Sequence, residues 1–170
     1  MRAIVVYESL WGNTEKLARA VASGLGLTMS VELVDTDAAP ATVEGYDLVV
    51  VGGPTHAFSM SRPATRSQGV DEKGAPHAPG RGIREWLDAL PPSSAHTPAA
   101  AFDTRVDTPR LPGSAAKAAL KELKAHGFET PVSPRTFRVH GYEGPIVDGE
   151  LDAAAAWARE LSDAATVAVA

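Results

Sequence analysis

The sequence predicts an α/β fold, a doubly wound five-stranded parallel sheet with helices on both faces. Two short, continuous apolar runs, residues 3–7 (A-I-V-V-Y) and 46–53 (Y-D-L-V-V-V-G-G), are rich in β-branched side chains, the pattern of strands covered on both faces. Segments with apolar residues at helical spacing separate such runs, so strand and helix alternate along the chain. Five strand candidates result, and the crossover rule winds them right-handed.

Residues 3–7 form the first strand, and Leu17, Ala18, Val21, Ala22 and Leu25 recur at helical spacing directly after it, opposite Glu15, Lys16 and Arg19. Residues 29–34 alternate and suit an exposed edge strand. Residues 35–45 are polar and leave room for only a short helix around 41–44. Residues 46–53 repeat the pattern of the first strand and should lie beside it. The stretch 59–82 is rich in Pro, Gly, Ser and His, too long for an ordinary connection, and reads as a loop insertion in a single domain spanning 1–170. It is either a lid or partner-docking loop leaving the ligand site, or a solvated insertion, since its charges are mixed in sign. Ile83, Trp86, Leu87 and Leu90 announce the next helix. Residues 97–102 (T-P-A-A-A-F) occupy the place of the fourth strand despite the weak strand preference of alanine. Residues 113–126 form a helix closed by Gly127. Residues 128–132 and 136–139 flank Pro134, which places the fifth strand at an edge and fits the order 2-1-3-4-5. The last helix contains Leu151, Ala154, Ala155, Ala158 and Leu161, is capped by Asp148, and ends in a tail, 166–170, prone to fray.

Composition narrows the function. With 44% hydrophobic and 22% charged residues the chain is ordinary globular protein. A net charge of −5 and 16 scattered basic residues give no nucleic-acid footprint. There is no cysteine, which removes thiolate metal sites, cysteine-held clusters and thiol nucleophiles, and leaves redox chemistry to a bound cofactor. The five histidines show no metal-ligand spacing. Ser9 has no motif linking it to His56 or His140, so no hydrolytic triad and no catalytic side chain is assigned. The first apolar run is too short for a signal segment or a membrane span, and a cytoplasmic protein is expected.

The turn Y-E-S-L-W-G-N-T at residues 7–14 joins the first strand to the first helix. Helix starts present N–H groups without intrahelical partners and carry partial positive charge, so such a turn stabilises a phosphate without a cationic side chain. Ser9 and Thr14 add hydroxyls, and Gly12 lets the backbone bend; Gly12→Val is expected to crowd the loop and weaken binding. The same residues also suffice for a plain helix cap and corner.

S-L-W-G-N-T at Ser9, Leu10, Trp11, Gly12, Asn13 and Thr14 resembles the phosphate loop of the flavodoxin family, commonly T/S-x-T-G-N-T, with Trp11 where a small hydroxyl residue is usual. G-G-P-T-H-A-F at residues 52–58 resembles the family's second flavin-contacting loop, in which G-x-P-T is frequent. The resemblance covers essentially the whole chain and implies a flavodoxin-like fold that binds flavin mononucleotide (FMN). It assigns the phosphate to Ser9, Gly12, Asn13 and Thr14, with Leu10 and Trp11 in the same loop. The ring falls to Pro54, Thr55, His56, Ala57 and Phe58 on one loop and to Asp103, Thr104 and Arg105 on another. His56 or Phe58 would cover the ring; His56 also reads as an ordinary solvated loop histidine. Arg105 either stabilises an anionic reduced flavin or pairs with Asp103 or Asp107. No tyrosine or tryptophan is available in the third loop.

Three functions follow. The first is an electron-transfer protein serving a redox partner protein or a small-molecule acceptor. The second is an FMN enzyme reducing a quinone with a nicotinamide nucleotide, since flavodoxins often switch a glycine-containing peptide beside the flavin and residues 55–58 contain no glycine. The third is a flavin-free binding module that keeps the fold.

Overall fold

The computed structural model describes residues 1–108 and 112–169. Its elements run β1 (Arg2–Tyr7), α1 (Asn13–Leu25), β2 (Ser30–Asp35), β3 (Leu48–His56), β4 (Ser59–Met60), α2 (Pro63–Lys73), α3 (Ile83–Ala89), β5 (Ala99–Val106), α4 (Ala115–Ala125), β6 (Arg135–Val139) and α5 (Glu150–Val169). The parallel strands lie in the order β2-β1-β3-β5-β6, and the two-residue β4 pairs antiparallel with the end of β3. Counting parallel strands alone, this is the expected order 2-1-3-4-5.

Both faces of the sheet are covered, which is why β1 and β3 read as unbroken apolar runs. Ile4, Val6, Val49 and Val51 point to a core shared with Trp86, Leu87, Leu120 and Leu123 of α3 and α4. Ala3, Val5 and Val50 point the other way, to Leu17, Val21, Trp157 and Leu161 of α1 and α5. On that second face Phe102, Phe137 and Trp157 meet edge to face at ring separations of 5.9–6.3 Å, the preferred arrangement of aromatic quadrupoles. Gly52 makes room for this group, since a Cβ there would sit 2.1 Å from Phe102 Cζ. The three alanines of β5 have weak strand preference. Parallel pairing of all three with Val49, Val50 and Val51 of β3 overrides it.

Several boundaries differ from expectation. No helix forms around 41–44; β2 runs into turns whose Ala39 and Val43 are buried. Residues 128–132 form no strand: Glu129 makes one isolated bridge to Pro98, and β6 begins at Arg135, just past Pro134. Among the described strands it pairs with β5 alone, with one isolated bridge from Val139 to Ile146, as suits an edge strand following a proline. Helix α5 starts at Glu150, after Gly149 at φ +87°, and continues through the expected fraying tail to Val169.

The largest correction concerns 59–82, read from sequence as a loop. Its first half is ordered as β4 and α2. Pro63 opens α2 at the position where a missing N–H costs nothing. The Arg62 N–H donates to Thr65 Oγ1 at 2.9 Å, and Gly74 closes the helix at φ +71°. Only Arg66 and Gly69 of α2 are buried, so the helix lacks the apolar stripe by which a sequence announces one.

No helix among the described residues is long and apolar enough to cross a membrane.

Candidate functional site

Parallel strands end on the same side of the sheet, and the loops that leave them there enclose a cavity of about 460 Å³, within the range of small-ligand sites. It opens where the connections from β1 and β3 diverge, the switch point of a doubly wound sheet.

Its first wall is the turn from β1 to α1. Gly12 takes φ +91°, a left-handed conformation that glycine adopts without penalty. Its N–H donates to Ser9 Oγ at 3.1 Å. No side chain caps the start of α1. Thr14 Oγ1 and Thr104 Oγ1 share a hydrogen bond of 2.9 Å, tying α1 to β5, and Asn13 Nδ2 donates to the Tyr142 carbonyl at 3.3 Å. Ser9, Leu10, Trp11, Asn13 and Thr14 line the cavity. Gly12 shapes the turn from outside the lining, and a Cβ there would meet nothing within 4 Å. The expected crowding by Gly12→Val is therefore replaced by backbone strain.

The second wall is the end of β3 and its hairpin into β4. Pro54, Thr55 and His56 are strand residues, and Ala57 and Phe58 make the turn at φ +46° and +71°. Tight hairpin turns of this handedness favour glycine or asparagine, so this pair is strained. Gly113 packs directly on the turn: a Cβ there would fall 1.9 Å from the Phe58 carbonyl oxygen. Phe58 is 56% exposed, at the cavity rim. His56 is partly buried, its Nδ1 3.3 Å from Thr65 Oγ1. Burial, helped by the charges of Lys73 and Arg66, lowers its pKa to about 4, so the imidazole is neutral at pH 7.

The third wall is β5, and here one assigned residue moves out of the site. Asp103 is fully buried. Its Oδ2 accepts from Thr55 Oγ1 at 2.9 Å, Ser114 Oγ at 2.6 Å and the Ala116 N–H at 3.1 Å. It therefore joins β3 and β5 to the start of α4, and it does not line the cavity. Thr104 and Arg105 do line it.

Two further walls escaped the sequence. Helix α2 contributes Thr65, Gln68, Gly69 and Lys73, and the connection after β6 contributes Tyr142. Beside His56 and Phe58, which were expected to supply the flat face, the cavity carries an aromatic pair. Trp11 and Tyr142 stack at 5.5 Å with an interplanar angle of 23°, while the Lys73 ammonium lies 4.6 Å over the Tyr142 ring, in cation–π range. Trp11 lines the cavity without filling it. The signal for Tyr142 was available: G-Y-E-G follows the last parallel strand, whose end lies on the side where every such loop gathers.

A buried polar cluster ties α2 to the end of β1 and the start of α3. Glu8, the residue after β1, is 1% exposed. It accepts from the Ser61 hydroxyl and, at 2.9 Å, from the Ile83 N–H. Arg66, also buried, donates to Ser61 Oγ at 2.9 Å and Glu85 Oε2 at 3.1 Å. Burial raises the Glu8 pKa, partly countered by the Ser61 and Ile83 hydrogen bonds and the Arg66 charge. Gly82 lies where a Cβ would reach within 2.5–2.9 Å of Glu8, Arg66 and Ser61.

Among the described residues no cluster of His, Asp or Glu could hold a metal ion. Residues 5–74, which include the first two walls and all of α2, match the flavodoxin family. The chain is similar in structure to a flavodoxin from the domain Archaea, at TM-score 0.67 and 19% identity over 98% of this chain and 99% of that one. For oxidised flavodoxin 1 from Bacillus cereus the values are 0.70 and 18%, over 96% and 98%. A flavodiiron core from Synechocystis sp. matches at 0.65 and 15%, over 99% of this chain and 36% of that one. The match to that family's model is confined to residues 5–74, while the fold is shared with flavodoxins along essentially the whole chain.

Proposed function

We propose that the cavity binds FMN and that the protein passes electrons through it to a redox partner. The observation that carries this reading is the convergence, on one cavity, of an uncapped helix start and a stacked aromatic pair. The helix start suits a phosphate, and the aromatic pair next to it suits a flat heteroaromatic ring.

The residues present fit that cofactor. Ser9 and Thr14 bring hydroxyls, and Asn13 an amide, to the start of α1, where unpaired N–H groups and the helix dipole favour an anion. Trp11 Nε1 is buried without a hydrogen-bond partner among the described residues, a donor the protein itself leaves unsatisfied. Trp11 and Tyr142 would hold the ring, and His56, neutral at pH 7, can donate or accept a hydrogen bond beside it. Leu10 and Gly69, both buried, also line the cavity without offering a side-chain polar group. When bound, the flavin supplies the redox chemistry that a chain without cysteine lacks.

A second reading, nicotinamide-dependent two-electron reduction of a quinone, is favoured by one observation. The Ala57–Phe58 turn contains no glycine and is wedged against Gly113, so its peptide is not free to reorient as the bound ring changes charge.

The test is direct. Purified protein should be yellow and release one FMN per chain on denaturation. Stepwise reduction with dithionite then separates the two readings: a half-reduced spectrum midway indicates a one-electron carrier, and direct conversion to the fully reduced spectrum the two-electron enzyme. Colourless protein that takes up no FMN would leave the flavin-free module.

A further inference from the structure

The loop that carries Tyr142 is held by the residue that opens α1. Residues 140–145 leave β6 and return at once. The His140 N–H donates to the Pro145 carbonyl at 2.8 Å, Val139 bridges Ile146, and the Val147 N–H donates to the Arg138 carbonyl at 3.0 Å. These contacts close the neck of the loop and leave its tip, 140–143, exposed. Gly141 and Gly144, on either side of Tyr142 and Glu143, take φ +62° and +99°. Glycine is so permissive that the backbone of the tip does not by itself fix the direction of the Tyr142 ring. Trp11 and Lys73 meet that ring, and Asn13 holds the main chain beneath it. Asn13 is only 6% exposed. Its Nδ2 donates to the Tyr142 carbonyl at 3.3 Å, and its Oδ1 lies so close to Gly144 that a Cβ there would be 2.7 Å away. Glycine at 144 therefore admits the Asn13 amide as well as making the turn.

We propose that Asn13 is a positioning residue for Tyr142: its amide fixes the tip of the 140–145 loop, so that the Tyr142 ring stays stacked on Trp11 and meets the ring of the bound flavin. The proposal rests on the FMN reading above. Asn13 serves the site twice, its main chain opening the helix end that favours the phosphate and its side chain setting the aromatic surface for the ring. A side chain that acts through Tyr142 affects a ligand without a phosphate, whereas one that acts on the phosphate alone does not.

The test measures FMN and riboflavin affinities of the wild type, Asn13→Ala, Tyr142→Ala and the double variant, each below its own unfolding midpoint. Asn13→Ala should weaken riboflavin as well as FMN, by about fivefold each, roughly what one ordinary hydrogen bond contributes. In the Tyr142→Ala background it should weaken FMN by less than about twofold, because the ring it positions is gone and residues that act through one another are not additive. Gly144→Ala, which displaces the Asn13 amide from the loop side, should weaken both flavins in the same way. A riboflavin affinity left unchanged by either substitution, or a loss of FMN affinity from Asn13→Ala as large without the Tyr142 ring as with it, would overturn the proposal while leaving FMN binding intact. A wild type that binds no FMN overturns it together with the reading beneath it.

Discussion

Gly12 and His56 show how much of the site rests on single backbone and protonation states. Gly12 sits at φ +91° with open space where a side chain would begin, so substitution there tests conformation alone. A left-handed residue other than glycine costs roughly 1–2 kcal/mol, and a β-branched one is a stronger outlier. Gly12→Ala should lower stability by about 1 kcal/mol in urea unfolding and weaken FMN binding, with Gly12→Val worse in both; an unchanged FMN affinity in either would show that the turn is not the phosphate cradle. His56 makes a pH prediction. Its folded pKa, about 4, lies below the ordinary value of 6.5, so the unfolded chain binds more protons between those limits and stability falls as pH drops through that window. The loss should be on the order of 1 kcal/mol at pH 5, discounted for partial exposure. Glu8 works in the opposite sense: its raised pKa makes it a destabilising charge as pH rises above the ordinary glutamate range. The contribution of His56 is therefore read as the difference between wild type and His56→Gln across pH 4–7; parallel stability curves would contradict it.

Helix α2 and the β3–β4 hairpin are the elements that distinguish this site, and neither was legible in the sequence. A helix whose only buried residues are Arg66 and Gly69 carries no apolar period, and its anchor is a charge network that forms only when β1, α2 and α3 are assembled. Arg66→Met should cost about 3 kcal/mol, because it removes the buried cation near Glu8 and breaks the Arg66–Glu85 pair. It should also weaken FMN binding by releasing the wall that carries Gln68 and Lys73. Unfolding midpoints and FMN titration of the one variant check both effects. The hairpin hid for another reason: Ala57-Phe58 is not a turn signature, and what holds its strained backbone is Gly113, far along the chain. Gly113→Ala combines a disfavoured φ of +80° with a Cβ 1.9 Å from the Phe58 carbonyl oxygen. It should displace the turn and destabilise the protein by about 2 kcal/mol or more, readable as a lowered Tm. A neutral effect would mean that the turn is held by other contacts.

Across the whole molecule, what was legible follows from burial and symmetry. Strands covered on both faces announce themselves as β-branched runs, and once their order is known every parallel strand must deliver its following loop to one end of the sheet. That placed Ser9, Asn13, Thr14, Pro54, Thr55, His56, Thr104 and Arg105 around one cavity. Asp103 left the site because its carboxylate is held by three donors, Thr55 Oγ1 on β3 and the Ser114 hydroxyl and Ala116 N–H at the start of α4. Tyr142 was missed because only three loops were followed to the ligand although β6 ends beside them. The claim on which the account rests is that an anion held at the start of α1 fixes a flat ring against the Trp11–Tyr142 pair, and it is tested most directly by titrating the flavin-free protein with FMN and with riboflavin, which share the ring and differ in the phosphate. FMN should bind one per chain, quench tryptophan fluorescence, and exceed riboflavin in affinity by a hundredfold or so, about 2.7 kcal/mol; equal affinity for the two, or binding of neither, would contradict it.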